Sequence, residues 1–287
     1  MKIVRSVYAL KEHLMKVRSR ASRPSIGFVP TMGALHEGHS SLIRRAKKEN
    51  HYTVVSIFVN PLQFGPNEDY ADYPRHLNHD IRICRKESVD LLFIPRGREL
   101  IDLKIVKKGL VPKRLKSPLC GACRPGHFDG VVAIVKFFFK LIIPDRAYFG
   151  QKDFQQWRII DEVAYQIKYH DVQIVLCPTI RDKDGLAMSS RNQYLKPRER
   201  RQALKIYQAL KLGRRMLLRS SQKVSGAINA MAHRLNGSTH VQIEYLSVVD
   251  VKTLKKVVKS SLAGKGRLLI ALAVRIGQTR LIDNIFV

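Results

Sequence analysis

Two histidines three positions apart carry the most pointed chemistry in this chain, within His36-Glu37-Gly38-His39. Imidazole gains and loses a proton near neutral pH and hydrogen-bonds phosphate oxygens. At this spacing both rings fall on one side of a first helical turn. Before them, Ile26 to Val29 is a short apolar run broken by Pro30 and Gly33; after them, Ser40-Ser41 opens the amphipathic segment LIRRAKKEN. A strand, a glycine-bearing turn and a helix N-terminus make an anion site, because unpaired N–H groups and the helix dipole both favour negative charge. The reading is that a nucleotide triphosphate lies here. Taken alone, the two histidines read equally well as ordinary helix caps.

Three more places repeat the pattern of strand end, glycine and polar side chains. Asn60-Pro61-Leu62-Gln63-Phe64-Gly65-Pro66-Asn67 is a loop directly after an apolar strand. Gly150-Gln151-Lys152-Asp153 joins a strand to a helix and offers a lysine as a point charge, or only a helix-start pair. Ser189-Ser190-Arg191, after Gly185, suits a phosphate-holding loop, or a plain N-cap cluster. Asp80 is a weak metal candidate. Cys120 and Cys123 form a lone CxxC with His127 nearby; no second pair completes a closed zinc site, so metal or redox chemistry is the lesser reading.

The elements that must position these groups alternate along the chain. Residues 2–20 read as an amphipathic helix with Val7, Leu10, Leu14 and Val17 inward. Thr53 to Val59 is apolar on both faces, as a buried parallel strand is. Strand, helix and strand at this spacing form a right-handed βαβ unit. A helix from Leu77 to Ser88 and a strand from Leu91 to Pro95 follow, then a basic segment, 96–118, with Lys104, Lys107, Lys108, Lys113, Arg114 and Lys116, read as a solvated loop. Phe128 to Ile143 is a core or subunit-contact helix stopped by Pro144. Strands at Arg146–Phe149 and Val172–Cys177 flank a helix from Phe154 to Tyr169. Helices at 197–219 and about 224–235, ending at Gly237, precede strands at Val241–Val249, Arg267–Ile276 and Arg280–Val287.

The chain has 287 residues, 52 Lys and Arg against 23 Asp and Glu, and a formal net charge of +29. The length allows two domains. The charge suits polyanions, but the basic residues are scattered, so a generally basic surface is preferred to a nucleic-acid site. The N-terminus lacks a long apolar h-region, and the apolar stretch VVAIVKFFFKLII is interrupted by Lys136 and Lys140. The expectation is a cytoplasmic protein with reduced thiols and no membrane element.

Seven segments, in order, resemble the motifs of the pantothenate synthetase family of the nucleotidyltransferase superfamily. They are PTMGALHEGH (30–39), FVNPLQFGPNED (58–69), YPR (73–75), RPGHFDGV (124–131), PDRAYFGQKDFQQ (144–156), DGLAMSSRN (184–192) and RLIDN (280–284). One alone is weak; seven collinear segments over most of the chain are specific. The resemblance implies an α/β fold: a Rossmann-like parallel sheet with helices on both faces over 1–179, and a smaller C-terminal α+β lid over 180–287. It implies a homodimer and ATP-dependent ligation of pantoate to β-alanine through pantoyl adenylate, with Mg2+, releasing AMP and pyrophosphate.

By motif, Met32, Gly33, Ala34, Leu35, His36, Glu37, Gly38 and His39 line the ATP site, with His39 the proton donor. Gln63 contacts pantoate and β-alanine, and Gln156 contacts pantoate. Gly150, Gln151, Lys152 and Asp153 hold the ribose and adenine side, Ile180 meets adenine, and Met188, Ser189, Ser190 and Arg191 embrace the phosphates. His36, His39 and Lys152 form the catalytic set. Departures from the family are Cys120 where many members have glutamate, Leu100-Ile101 in place of Met-Tyr, and Ser40 in place of an apolar residue. Two alternatives stand beside this reading: a related adenylyltransferase with another acid substrate, and a basic nucleic-acid-binding protein, which the absence of aromatic stacking motifs disfavours.

Overall fold

In a computed structural model of the chain, which describes residues 1–66, 68–97, 100, 111–166, 171–219, 223–236, 241–258 and 267–287, the first two apolar runs become neighbouring parallel strands. These are β2 (Ile26–Thr31) and β3 (Tyr52–Ile57), joined by helix α2 (Glu37–Glu49). All six residues of β3 are buried, as expected of a strand covered on both faces. β2 runs past Pro30, where a break was expected. The ladder to β5 (Arg146–Gly150) covers only Gly27 and Phe28 of β2, so the missing N–H of Pro30 removes no bond from it.

The chain divides into two units. One comprises Met1–Pro112, Arg124–Gly150 and Gln156–Pro178; the other comprises Lys113–Cys123, Gln151–Gln155 and Thr179–Val287. The first unit holds a six-stranded sheet of order β1-β4-β3-β2-β5-β6, parallel at every described pairing. Here β1 is Lys2–Val4, β4 Leu91–Phe93, β5 Arg146–Gly150 and β6 Gln173–Cys177.

Alternate residues of the strands feed two cores. Phe28, Val54, Leu91 and Phe93 pack with Leu10, Leu14 and Val17 of α1 (Val7–Arg18). Val29, Val55 and Leu92 pack on the other face with Leu42, Ile43 and Ala46 of α2 and Cys84 of α3 (Leu77–Lys86). Each such side chain contributes about 1.5–3 kcal/mol of hydrophobic stabilisation. The layers therefore have helices on both faces, as expected.

The N-terminal helix is shorter than expected. Lys2 to Val4 form an edge strand against β4, and Ser6 then caps α1 by accepting from the Ala9 amide at 3.2 Å. The apolar helix is α6 (His127–Ile142), following two short helices, α4 (Lys113–Lys116) and α5 (Cys120–Cys123). It is a core helix: Phe138 meets Phe28 and Phe93 edge-on, with ring centroids 5.7 and 6.1 Å apart. Helix α7 (Phe154–Gln166) adds Ile160 and Ala164 to the same core. Lys104, Lys107, Lys108, Ile101, Gly237 and the expected helix end at 167–169 lie outside the described residues.

The second unit has an antiparallel sheet, β7-β8-β9, of Val241–Asp250, Leu268–Ile276 and Thr279–Phe286. Helices α8 (Pro197–Leu218) and α9 (Val224–Leu235) share its core through Ile206, Leu210, Met231, Ile270 and Leu272. Among the described residues, no helix is long and apolar enough to cross a membrane.

Candidate active site

From β2 the chain steps to β3 and β4 on one side and returns to β5 on the other, so the sheet's direction of winding reverses between β2 and β5. Ligands of open parallel sheets bind at such a point, beyond the carboxyl ends of the strands. The turn after β2 is at that place. Gly33 and Ala34 both have positive φ, +80° and +49°. A Cβ on Gly33 would lie 2.9 Å from Asp80 Oδ2 and 3.1 Å from a methyl of Ile57. Glycine is therefore required by conformation and by space. Asp80, 1% exposed, accepts from the Ala34 amide at 2.9 Å and the Leu35 amide at 2.7 Å. Burial pushes the Asp80 carboxyl upward, against the pull of those two amides.

His36 is the N-cap of α2. Its Nδ1 accepts from the Gly38 amide at 3.1 Å, and His39 Nδ1 accepts from the His36 amide at 3.3 Å. A backbone amide only donates, so both Nδ1 atoms are acceptors. The proton of each neutral ring is then on Nε2. The rings lie 4.2 Å apart, centroid to centroid. Capping and hydrogen-bond donation are thus compatible in one imidazole.

Gln63 lies in a short 3₁₀ turn, Pro61–Gln63, capped by Asn60. Its amide nitrogen donates to Met32 Sδ at 2.9 Å, bringing Met32 and Gln63 together, and its side-chain oxygen accepts from Asn60 at 3.2 Å. Its backbone carbonyl accepts from His127 Nδ1 at 2.8 Å and Arg124 at 3.3 Å. Arg124 also grips Glu68 with two nitrogens, one at 2.7 Å. Asn60 donates to the carbonyl of Gly130 at 3.0 Å, and a Cβ on Gly130 would lie 2.7 Å from the Gln63 amide and closer still to the Leu62 carbonyl. Helix α6 therefore meets this loop backbone to backbone.

In the second unit, Gln151–Asp153 is a 3₁₀ turn in which Lys152 pairs with Asp153 at 3.2 Å. Asn284 of β9, 4% exposed, holds it: its side-chain nitrogen donates to the carbonyls of Gln151 (2.8 Å) and Lys152 (3.0 Å), and its oxygen accepts from Gln151 at 3.2 Å. Neighbouring Asp283 is buried against Arg181, with one contact at 3.0 Å, and burial raises its carboxyl against the pull of that guanidinium. Arg181 also stacks 3.8 Å over the Tyr207 ring. The Arg181–Ala187 bridge closes a hairpin in which the Met188 amide donates to the Ile180 carbonyl at 3.0 Å. That hairpin brings Ile180 and Met188 together. Ser189 caps the 3₁₀ turn Ser190–Tyr194 through the Arg191 amide at 3.3 Å.

A sequence profile described as pantoate-beta-alanine ligase matches residues 2–286. The chain is 45% identical to a pantothenate synthetase of Caldicellulosiruptor bescii over 100% of this chain and 99% of that protein. It is 44% identical to the pantothenate synthetase of Thermotoga neapolitana over 99% of each. The chain belongs to the pantoate-beta-alanine ligase family. The crystal structure of a pantothenate synthetase from Thermus thermophilus is similar to it at a TM-score of 0.88 and 38% identity, covering 99% of both chains. That of a Francisella tularensis pantoate-beta-alanine ligase complexed with beta-gamma ATP and beta-alanine is similar at 0.77 and 33%, covering 100% and 97%.

Within this family member, Met32 to His39, Gln63, Gly150 and Gln156 belong to the first unit, and Gln151 to Asp153, Ile180 and Met188 to Arg191 belong to the second. Asp80 is a clamp on the turn: both of its oxygens are taken by backbone amides, which leaves it a poor metal ligand. His127 is turned to Gln63 and Arg124 through both nitrogens, so it does not complete a cysteine site. Cys120 instead lies 3.1 Å from the Tyr245 hydroxyl and 3.7 Å from Arg280. Gln155 is structural: it accepts from the Cys120 amide at 3.0 Å and donates to the carbonyls of Leu115 and Pro118. The sequence assigned no role to Asn284, Arg124 or Gln155 and read His127 only as a neighbour of the cysteine pair, although all four stand in the segments 124–131, 144–156 and 280–284.

Proposed function

We propose that this protein joins pantoate to β-alanine with ATP as the driving substrate, forming pantothenate, AMP and pyrophosphate. The observation that carries the reading is the β2–α2 turn, which presents two Nε2–H groups at a helix N-terminus where the parallel sheet reverses. Family membership and the ATP and β-alanine of the Francisella complex support it. Joining a carboxylate to an amine at neutral pH needs a better leaving group than oxide. A pantoate carboxylate oxygen bonds to the α-phosphorus of ATP as the bond from that phosphorus to the bridging oxygen breaks, and pyrophosphate leaves. The neutral amine of β-alanine then attacks the acyl carbon of pantoyl adenylate, AMP departs with the bonding electrons, and the amine loses a proton.

The acid brings its own nucleophile, so the protein's work is orientation and charge stabilisation. Nε2–H of His36 and of His39 donate to phosphate oxygens as charge moves to the leaving group, with His39 the proton donor. Lys152 and Arg191 neutralise phosphate charge, one as a point and the other as a fork. Ser189 can still donate its hydroxyl proton while its oxygen caps the turn, and Ser190 offers a second hydroxyl. Gln63 and Gln156 match the hydroxyls and carboxylate of pantoate with uncharged amides; Gln63 also meets β-alanine. Met32, Gly150, Gln151, Asp153 and Ile180 complete the nucleotide's surroundings.

Mg2+ belongs to this proposal as the ion carried by the ATP phosphates. Among the described residues, no group of three or more His, Cys, Asp or Glu could cage it. No protein ligand to it is assigned. A homodimer, a lid role for the second unit and a cytoplasmic setting are parts of the same proposal; light scattering on the purified protein tests the first. The function itself is tested by exchange of labelled pyrophosphate into ATP over a panel of acids without β-alanine. Exchange with pantoate that needs Mg2+ is expected. Exchange with another acid and none with pantoate replaces this reading with the related adenylyltransferase.

A further inference from the structure

Helix α8 belongs to a unit with far more positive than negative charge. Residues 180–287 contain 22 Lys and Arg against six Asp and Glu. Each of the six carboxylates is already engaged. Asp182 and Asp184 accept from Arg200 at 2.9 and 2.7 Å, and Glu199 accepts from the Lys196 amide at 2.8 Å. Glu244 pairs with Arg280 and Arg275, Asp283 pairs with Arg181, and Asp250 accepts from Thr253. The apolar side of α8 is consumed in the core through Ala203, Ile206, Leu210 and Leu217. Its opposite side exposes Arg201, Lys211, Arg215 and Arg219. Among the described residues none of these four meets a carboxylate. At 1.5 Å per residue Arg201 to Arg215 span about 21 Å of helix, and Arg219 follows as its C-cap.

A row of that length and sign fits a repeating anion. It does not fit insertion into a bilayer, which requires the apolar side that α8 has already buried. The exposed side offers no aromatic ring on which bases could stack, since Tyr207 is half-buried beneath Arg181 and Lys211. The chemistry is therefore contact with phosphates and not readout of bases. We propose that the exposed face of α8 binds the phosphate backbone of duplex nucleic acid, independently of sequence. None of the four cations belongs to the residues assigned to ATP or pantoate.

The test is fluorescence anisotropy of the full chain with labelled 24-base-pair RNA and DNA duplexes of unrelated sequences, titrated in NaCl. Four phosphate contacts give a slope of about −3.6 in log K against log salt. The quadruple variant Arg201→Gln, Lys211→Gln, Arg215→Gln, Arg219→Gln is expected to flatten that slope by about 3.6 units. Its melting temperature and pantoate-dependent exchange should be unchanged, which shows that it is folded. A control replaces four other exposed cations of the same unit, Lys223, Lys252, Lys255 and Lys256, with glutamine and should keep most of the slope. Binding of either duplex supports the proposal, and the tighter one names the source. No binding of either at 50 mM salt, or equal flattening in both variants, overturns it.

Discussion

His36 and His39 each use one ring nitrogen for structure and leave the other proton-bearing. The two uses can be separated. Asparagine caps helices well, so His36→Asn should keep the start of α2 and melt within about 2 °C of the parent. It lacks the Nε2–H, and single-turnover adenylation should fall. His39→Ala should slow that step by about 10²–10⁴-fold. Unchanged rates in both would remove the histidines from the chemistry. Asp80 is tested differently. Asp80→Asn leaves one of two buried amides without its charged acceptor, a loss of about 1–3 kcal/mol of turn stability. The expected readout is a raised KM for ATP with a smaller change in the pantoate KM; an unaltered ATP KM would refute the clamp. The histidine pair was legible in the sequence because caps and turns are local. Asp80 was not, because its partners lie 45 and 46 residues away and nothing beside it in the chain names them.

Among the elements, the meeting of α6 with the Gln63 loop is the sharpest constraint. Gly130→Ala puts a methyl into the backbone of Leu62 and Gln63, so it should cost about 1–3 kcal/mol in thermal or urea unfolding and weaken pantoate binding, measured by calorimetry. A pantoate affinity equal to the parent's would show that the loop moves freely of the helix. The same loop has a pH signature through Glu68. Burial alone would raise this carboxyl, but the hydrogen bond and charge of Arg124 hold it below the ordinary 4.5. A depressed carboxylate stabilises the fold above its unfolded value, and that contribution is lost as pH falls through the folded value. The melting difference between the parent and Glu68→Gln should therefore be constant from pH 7 to about 5 and shrink at lower pH. A difference that grows on acidification would reverse the sign of the argument. The long strands and helices were readable from periodicity. The edge strand β1 was not, because three residues acquire strand identity only from β4.

Across the whole molecule, a net charge of +29 sets the conditions of every measurement. Like charges spread over one surface repel, and salt shortens their reach to about 8 Å at physiological strength. The melting temperature should rise between 20 and 300 mM NaCl, and a flat response would mean that the charges are already compensated. The α/β class, with a parallel sheet ahead of a smaller second sheet, was legible, since every strand but β1 announces itself by its own apolar run. The membership of the two units was less so: Lys113–Cys123 and Gln151–Gln155 belong with residues far downstream, joined by single amides such as those of Gln155 and Asn284.

That membership has a consequence for how the protein is made. The turn carrying Lys152 is held by Asn284, 132 residues later, and chains leave the ribosome from the N-terminal end. The parallel sheet can close around β2 and β5 while the turn that follows β5 still lacks its brace. A chain interrupted before β9 would carry the imidazole pair but no organised lysine. On the role proposed for Lys152, products interrupted before β9 would hold ATP weakly, because β9 supplies the brace of that turn.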